Sequence, residues 1–229
     1  MSKTPSPGIG RLAERSLHAA LKEYLMQPGD QIEAALDGYV IDIFRDGLLI
    51  EIQTRHLYAM RRKLTVLLDR YPVALIHPIA AEKWIQRVDA NDRPLKRRKS
   101  PKQGRVLDVF RELVRVPDLL AHPNFSLEVL LIREEEVWRD DGQGSWRRKG
   151  WSLADRRLLG VVTEHTFLEP ADYLALLPPD LAQPFTNREL ATAAGCSSNL
   201  AQKITYTLRG LDLLEVTGKR GRAMEFTTA

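Results

Sequence analysis

Residues Tyr39–Thr54 read YVIDIFRDGLLIEIQT. Two runs rich in aliphatic and β-branched residues, Tyr39–Phe44 and Leu48–Thr54, flank Arg45-Asp46-Gly47, and Asp-Gly supplies the positive-φ pair of a tight hairpin turn. With Asp46-Gly47 as a two-residue loop, Arg45 pairs with Leu48, and counting outward sets Asp42 opposite Glu51 on one face. Ile41, Ile43, Ile50 and Ile52 then share the other face as a buried layer. Directly opposed Cβ atoms lie roughly 4.5–5.5 Å apart, and two carboxylates at that separation oppose folding unless positive charge stands between them. Val40, Phe44 and Leu49 on the same face are apolar, a poor setting for a solvated acid pair. A bound cation removes the conflict, and Gln53, two residues beyond Glu51, adds a third polar group on that face. Oxygen ligands of this kind suit Mg²⁺ or Mn²⁺, which keep several waters and accept phosphate oxygens.

Outward from the hairpin, Leu12, Leu17, Leu21 and Leu25 recur at helical spacing until Pro28-Gly29. Residues 1–10, rich in Ser, Pro and Gly, are expected to be disordered and carry no apolar stretch like a signal peptide. After the hairpin, Thr54 is placed to cap a helix with Leu57, Met60, Leu64, Leu67 and Leu68 in one stripe, and Val73–Ile76 returns as a buried strand. Lys63, with Arg61 and Arg62, reads as the solvated side of that helix. The order helix, strands, helix, strand predicts an α/β fold with a mixed sheet flanked by helices.

Further on, Lys96–Arg105 reads KRRKSPKQGR, with six basic residues and no acidic one. Its Lys96, Arg97, Arg98, Lys99, Lys102 and Arg105 are expected on a solvated loop that contacts phosphates. Val106–Val116 predicts a helix and Phe125–Trp138 a strand. Glu134–Glu136 and the Asp108/Glu112 pair read as solvated faces, and Trp138, Trp146 and Trp151 as packing residues. Pro170, Pro178, Pro179 and Pro184 mark residues 169–184 as a linker between residues 11–168 and residues 185–229.

The C-terminal segment opens with a capping box, Thr186 to Glu189, and a helix that ends near Gly195. A second helix, about Ser198 to Gly210, turns Leu200, Ile204 and Leu208 inward and Asn199, Gln202, Lys203, Tyr206 and Arg209 outward. Leu213–Thr217 and Ala223–Thr227 then read as a hairpin whose tip carries Lys219, Arg220 and Arg222. Two helices and a basic-tipped hairpin resemble winged-helix DNA-binding domains, in which the second helix enters the major groove.

The chain has 229 residues, 44% of them hydrophobic, enough for one full core and a smaller one. Its sequence pI is about 9.2, which favours a polyanionic partner. Cys196 is the only cysteine, so neither an internal disulfide nor a cysteine-rich zinc site can form. No run reaches membrane-spanning length, and a cytoplasmic protein is expected.

The hairpin resembles the Asp…Glu-x-Lys/Gln hairpin of the PD-(D/E)XK nuclease superfamily, and the element order over Leu12–Ile76 is similar to that restriction-endonuclease-like fold. In that resemblance Asp42 and Glu51 hold the metal, and Gln53 stands where a lysine is commonest. The first helix, ERSLHAALKEYL, is similar to the one opening the nuclease-like region of CoiA-type competence proteins, where an E-x-x-L-H-x-x-x-K pattern precedes an E-F-Q strand. By that likeness Glu14 completes the metal site; Glu33 is an equal candidate on spacing. Gln53 carries no charge, so Lys22 or Lys63 would have to bring one. The resemblance implies a metal-dependent DNA endonuclease with catalytic residues Glu14, Lys22, Asp42, Glu51 and Gln53. The alternative is a non-catalytic DNA-binding regulator in which the nuclease-like part is a scaffold or homodimerisation unit.

Overall fold

The computed structural model describes residues 9–144, 146–148 and 150–229, with side chains from residue 16 onward. They form an α/β protein built on a large mixed sheet with helices. The chain divides into two compact units, each assembled from separate stretches.

The hairpin unit comprises Gln31–His77, Val106–Val129 and His165–Ala229. Strands β1 (Gln31–Leu36), β2 (Tyr39–Arg45) and β3 (Leu48–Ile52) form an antiparallel meander. Arg45 pairs with Leu48, Phe44 with Leu49 and Ile43 with Ile50, the register that the Asp-Gly turn demands. Asp46 and Gly47 have φ of 46° and 90°, the left-handed pair of such a turn. Ile41, Ile43, Ile50 and Ile52 are all buried, and covering each contributes roughly 1.5–3 kcal/mol.

Helix α2 (Arg61–Leu68) is the crossover that lets β4 (Val73–Val88) run parallel to β3, Leu49 beside Val73 through Ile52 beside Ile76. The expected helix starts later than Thr54 predicts. A 3-10 turn, Leu57–Met60, intervenes, and the Glu112 carboxylate, not Thr54, takes the Leu57 N–H at 3.0 Å. Where one helix was expected over Val106–Val116, a 3-10 turn (Val106–Val109) leads into the short helix α3 (Phe110–Leu113), and a separate short helix α4 (Pro117–Leu120) follows with Pro117 in its first turn.

In the same unit, residues 169–184, expected as a linker, contain α5 (Pro170–Leu174), with buried Tyr173 stacked on Phe167 at 4.9 Å. Strand β8 (Phe185–Thr186), helices α6 (Asn187–Ala193) and α7 (Ser198–Gly210), and strands β9 (Leu214–Arg220) and β10 (Ala223–Thr228) follow. They close with a three-stranded sheet in the order β8-β10-β9. The capping box is present: Glu189 accepts from the Thr186 N–H at 2.8 Å, and Thr186 Oγ1 from the Glu189 N–H at 3.4 Å. Helix α7 packs against α6, α3 and α4.

The long-strand unit holds Pro78–Arg105, Leu130–Glu164 and the described part of residues 1–30. Helix α1 (Ile9–Leu25) begins before the expected Leu12, so residues 9 and 10 are helical, not disordered; Ile9, Ala13, Leu17 and Leu21 extend the four-residue spacing by one turn. Residues 1–8 lie outside the described residues. Strands β5 (Pro94–Lys99), β6 (Phe125–Asp140) and β7 (Trp151–Phe167) complete the larger sheet, whose order is β1-β2-β3-β4-β6-β7 with β5 beside β4. Pro78 falls between the stretch of β4 that pairs with β3 and the stretch, Trp84–Val88, that pairs with β5, where its missing N–H interrupts neither ladder.

The expected basic loop is therefore partly a strand, Lys96–Lys99 being part of β5. Acids on neighbouring strands offset part of the basic run there: Arg97 meets Glu135 at 2.6 Å, and Lys99 meets Glu82. The run Glu134–Glu136, expected to be solvated, is buried for the same reason. Lys83 stands 2.7 Å from Glu134 and 2.5 Å from Glu136, and Arg156 stands 2.6 Å from Glu134.

Candidate functional site

The acid pair sits where the hairpin ladder stops. Counted from the turn, Ile43–Ile50 is the last rung between β2 and β3, and continued pairing would bring Ile41 opposite Ile52. Instead the Ile52 N–H donates to Asp42 Oδ2 at 2.9 Å, so a carboxylate takes over from backbone at the point where the strands part. Register sets Asp42 and Glu51 on the face opposite the buried isoleucines. On that face Leu49 is fully buried and Glu51 only 3% exposed, whereas Val40, expected among the apolar neighbours of the pair, is 60% exposed.

A buried carboxylate demands a compensating charge, because the desolvation penalty is several kcal/mol per ion. Lys63 supplies it: Nζ lies 2.5 Å from Glu51 Oε1 and donates to the Val40 carbonyl oxygen at 2.5 Å. One ammonium thus bridges β2 and β3 across their opening. Lys63 is held there by α2, whose Leu64, Leu67 and Leu68 are buried and fix the helix on the sheet. The expectation that Lys63 belongs to a solvated helix side is overturned, its side chain being only 16% exposed. Arg61, in contrast, is exposed and pairs with Asp118 at 2.9 Å.

Gln53 continues β3 into the site. Its N–H donates to the Ile76 carbonyl at 2.9 Å, its Nε2 donates to the Arg55 carbonyl, and its own carbonyl lies 2.7 Å from His77 Nδ1. With Nε2 used locally, the amide oxygen is the end suited to a cation. His77 went unnoticed in the sequence. It is buried on β4, and an Nδ1–H donated to Gln53 would lock the segment that carries Glu51. Its only sequence signal is a histidine closing an apolar strand before proline.

Of the other expected site residues, Glu33 lies on β1 between the pairs Ile32–Ile43 and Ala34–Ile41, hence level with Asp42, with φ of 52°. The Glu14 side chain lies outside the described residues, and Lys22 is half-buried on α1, in the long-strand unit. Asp42, Glu51 and Gln53 carry oxygen donors of a type that would suit Mg²⁺ or Mn²⁺, while among the described residues no group of three or more His, Cys, Asp or Glu side chains is placed to hold a metal ion.

Among the expected DNA contacts, Asn199, Gln202, Tyr206 and Arg209 are exposed along one side of α7. Lys203 is half-buried and donates to the Arg111 carbonyl at 3.5 Å. Lys219 and Arg222 are exposed near the β9–β10 turn, while Arg220 is held by Glu189 at 2.5 Å and Glu225 at 2.6 Å. Lys96, Arg98, Lys102 and Arg105 are exposed. Among the described residues no helix is long and apolar enough to cross a membrane.

These features define an α/β protein with a lysine-bridged acidic site in a parted hairpin. The chain belongs to the family described as a domain of unknown function (DUF8091), whose model matches residues 15–168. It is also similar to an uncharacterized protein of Treponema pallidum (strain Nichols), 32% identical over 216 residues that cover 93% of this chain and 85% of that one. No solved structure matches the chain. The family match contains Asp42, Glu51, Gln53, Lys63 and His77 and ends before α5.

Proposed function

We propose that the protein is a metal-dependent DNA endonuclease of PD-(D/E)XK type, with residues 11–168 as the restriction-endonuclease-like part and residues 185–229 as a winged helix joined to it by residues 169–184. The observation that carries this reading is the Lys63 ammonium set between Glu51 and Val40, where Asp42 caps the parting strands. It brings a fixed positive charge to a pair of carboxylates whose resemblance implies metal binding.

Asp42 and Glu51 would hold Mg²⁺ or Mn²⁺, with the Gln53 amide oxygen beside them. Such an ion, when bound, supplies an activated water and charge stabilisation at a phosphate. Lys63 contributes what Gln53 cannot, a cation able to hold a phosphate oxygen and to balance charge that develops on it. His77 fixes the Gln53 backbone, and the isoleucine layer keeps the acids from relaxing into solvent. The Ile52 N–H orients the Asp42 carboxylate at the point where the strands part.

The C-terminal elements support DNA as the partner. Two helices, α6 and α7, followed by the β9–β10 hairpin are the elements a winged helix would use, and α7 presents Asn199, Gln202 and Arg209. Gln53 in the lysine position, with Nε2 committed to Arg55, favours a second reading, a non-catalytic DNA-binding regulator. Nicking of supercoiled plasmid separates the two. Cleavage that needs Mn²⁺ or Mg²⁺ and vanishes in Asp42→Ala and Lys63→Met supports the nuclease. Metal-independent DNA binding without cleavage by the wild type supports the regulator.

A further inference from the structure

One face of the long-strand unit gathers arginines and indoles around a cavity that the carboxylate site does not use. Ile85 stands opposite Arg98 and Arg87 opposite Lys96 across the β4–β5 ladder, so all four share a face. Ile85, Arg87 and Arg98, together with Trp138, Arg148 and Trp151, line a cavity of about 200 Å³. The Arg87 guanidinium lies 4.7 Å from the Trp151 ring centre, and that of Arg148 lies 4.8 Å from the Trp138 ring centre. These tryptophans, expected to be packing residues, are walls of a half-open pocket.

Among the described residues no carboxylate lines the cavity. Several acids of this unit are engaged elsewhere: Glu82 with Lys99, Glu135 with Arg97 and Arg157, Asp92 with Arg139, Glu134 with Lys83 and Arg156. Glu136 is committed too, meeting Lys83 at 2.5 Å and accepting from Trp138 Nε1 at 2.9 Å. Burial pushes its carboxyl up, yet the Lys83 ammonium and the indole N–H outweigh that and hold it below its ordinary value. The buried network of Lys83, Arg156, Glu134 and Glu136 is neutral in sum. It anchors Trp138, and among the described residues that line the cavity the charges are those of Arg87, Arg98 and Arg148 alone.

We propose that this pocket binds one nucleotide unit of a single-stranded nucleic acid, its phosphate on the arginines and its base against an indole. Guanidinium forks match phosphate oxygens in pairs, which a lysine ammonium does not. Indole faces stack any unpaired base, and a duplex offers none. The cavity is smaller than the roughly 300–1,000 Å³ of sites that enclose a whole drug-sized ligand, so it takes one segment of a longer chain. The inference rests on nucleic acid being the polyanionic partner, and it does not need cleavage.

The test is a titration of the full chain in EDTA with fluorescein-labelled oligothymidylate, with duplex of equal length, dTMP and inorganic phosphate as competitors. Arg98→Gln and Arg87→Gln/Arg148→Gln are expected to weaken oligothymidylate binding at least tenfold and to flatten its salt dependence, whose log–log slope falls by about 0.7 for each phosphate no longer neutralised. Trp151→Phe is expected to reduce the quenching of tryptophan fluorescence on binding. Arg98 is on an exposed strand, and the thermal midpoint of each variant separates a binding defect from a folding defect. Unchanged affinity in folded Arg98→Gln overturns the proposal, as does competition by inorganic phosphate or dTMP equal to that of the oligonucleotide. Duplex binding that is equally tight and equally sensitive to Arg98→Gln overturns the single-strand assignment. Absence of metal-dependent nicking alongside this binding would remove the catalytic reading alone.

Discussion

Lys63 Nζ lies 2.5 Å from Glu51 Oε1, and the two side chains are 16% and 4% exposed, so an almost wholly buried acid on β3 is paired with a cation from α2. Removing one partner of such a pair leaves the other as an uncompensated buried charge. Lys63→Ala is expected to lower unfolding stability by about 3 kcal/mol in urea denaturation. Glu51→Gln/Lys63→Met removes both charges and is expected to recover most of that loss. Equal destabilisation by the single and double variants would mean that packing, not charge balance, is what Lys63 provides.

Arg220 differs from its neighbours Lys219 and Arg222 in being tied to Glu189 and Glu225. The ties hold its guanidinium above its ordinary range through hydrogen bonds to Glu225 and Glu189. Arg220→Ala is therefore expected to lower the thermal midpoint by a few degrees with little change in the salt dependence of duplex DNA binding. Lys219→Ala/Arg222→Ala is expected to do the reverse, leaving the midpoint in place and reducing that salt slope by about 2. Melting curves and binding isotherms at several salt concentrations check both.

Glu136 gives the long-strand unit an acid-sensitive element. Its folded carboxyl is held below the ordinary value of 4.5, so its stabilising contribution is complete above that value and is lost as pH falls through the lower folded one. The wild-type melting temperature is expected to fall as pH drops from about 5 towards 3. Glu136→Gln, which cannot titrate, is expected to show a shallower fall. Parallel curves for the two proteins would contradict this assignment.

The hairpin was legible because its two signals agree: Asp46-Gly47 sets the register, and Ile41, Ile43, Ile50 and Ile52 show which face is buried. The capping box at Thr186 and Glu189 was legible for the same reason, a local motif with a local hydrogen bond. The long-strand unit was not. In β5, β6 and β7, Arg97, Glu134, Glu135, Arg156 and Arg157 are charged residues inside strands, and a charge run reads as solvated unless its partners are known. Those partners lie on other strands, so the neutralisation is a tertiary fact without a period in the sequence.

Within the site, Asp42, Glu51 and Gln53 could be read from alternation along two adjacent strands. The choice of Lys63, named beside Lys22 as a source of charge, could not, since Arg61, Arg62 and Lys63 follow one another on α2 and only the packing of Leu64, Leu67 and Leu68 decides which of them turns to the sheet. His77 was hidden because its partner is a backbone carbonyl, which any sequence offers everywhere.

Binding of Mn²⁺ to the full chain, followed by calorimetry at neutral pH, bears on whether Asp42 and Glu51 share a cation. One ion per chain is expected for the wild type, with affinity reduced at least tenfold in both Asp42→Asn and Glu51→Gln and the melting temperature of each variant unresponsive to the metal. Wild-type Mn²⁺ affinity retained in Asp42→Asn, with the fold intact by circular dichroism, would contradict it.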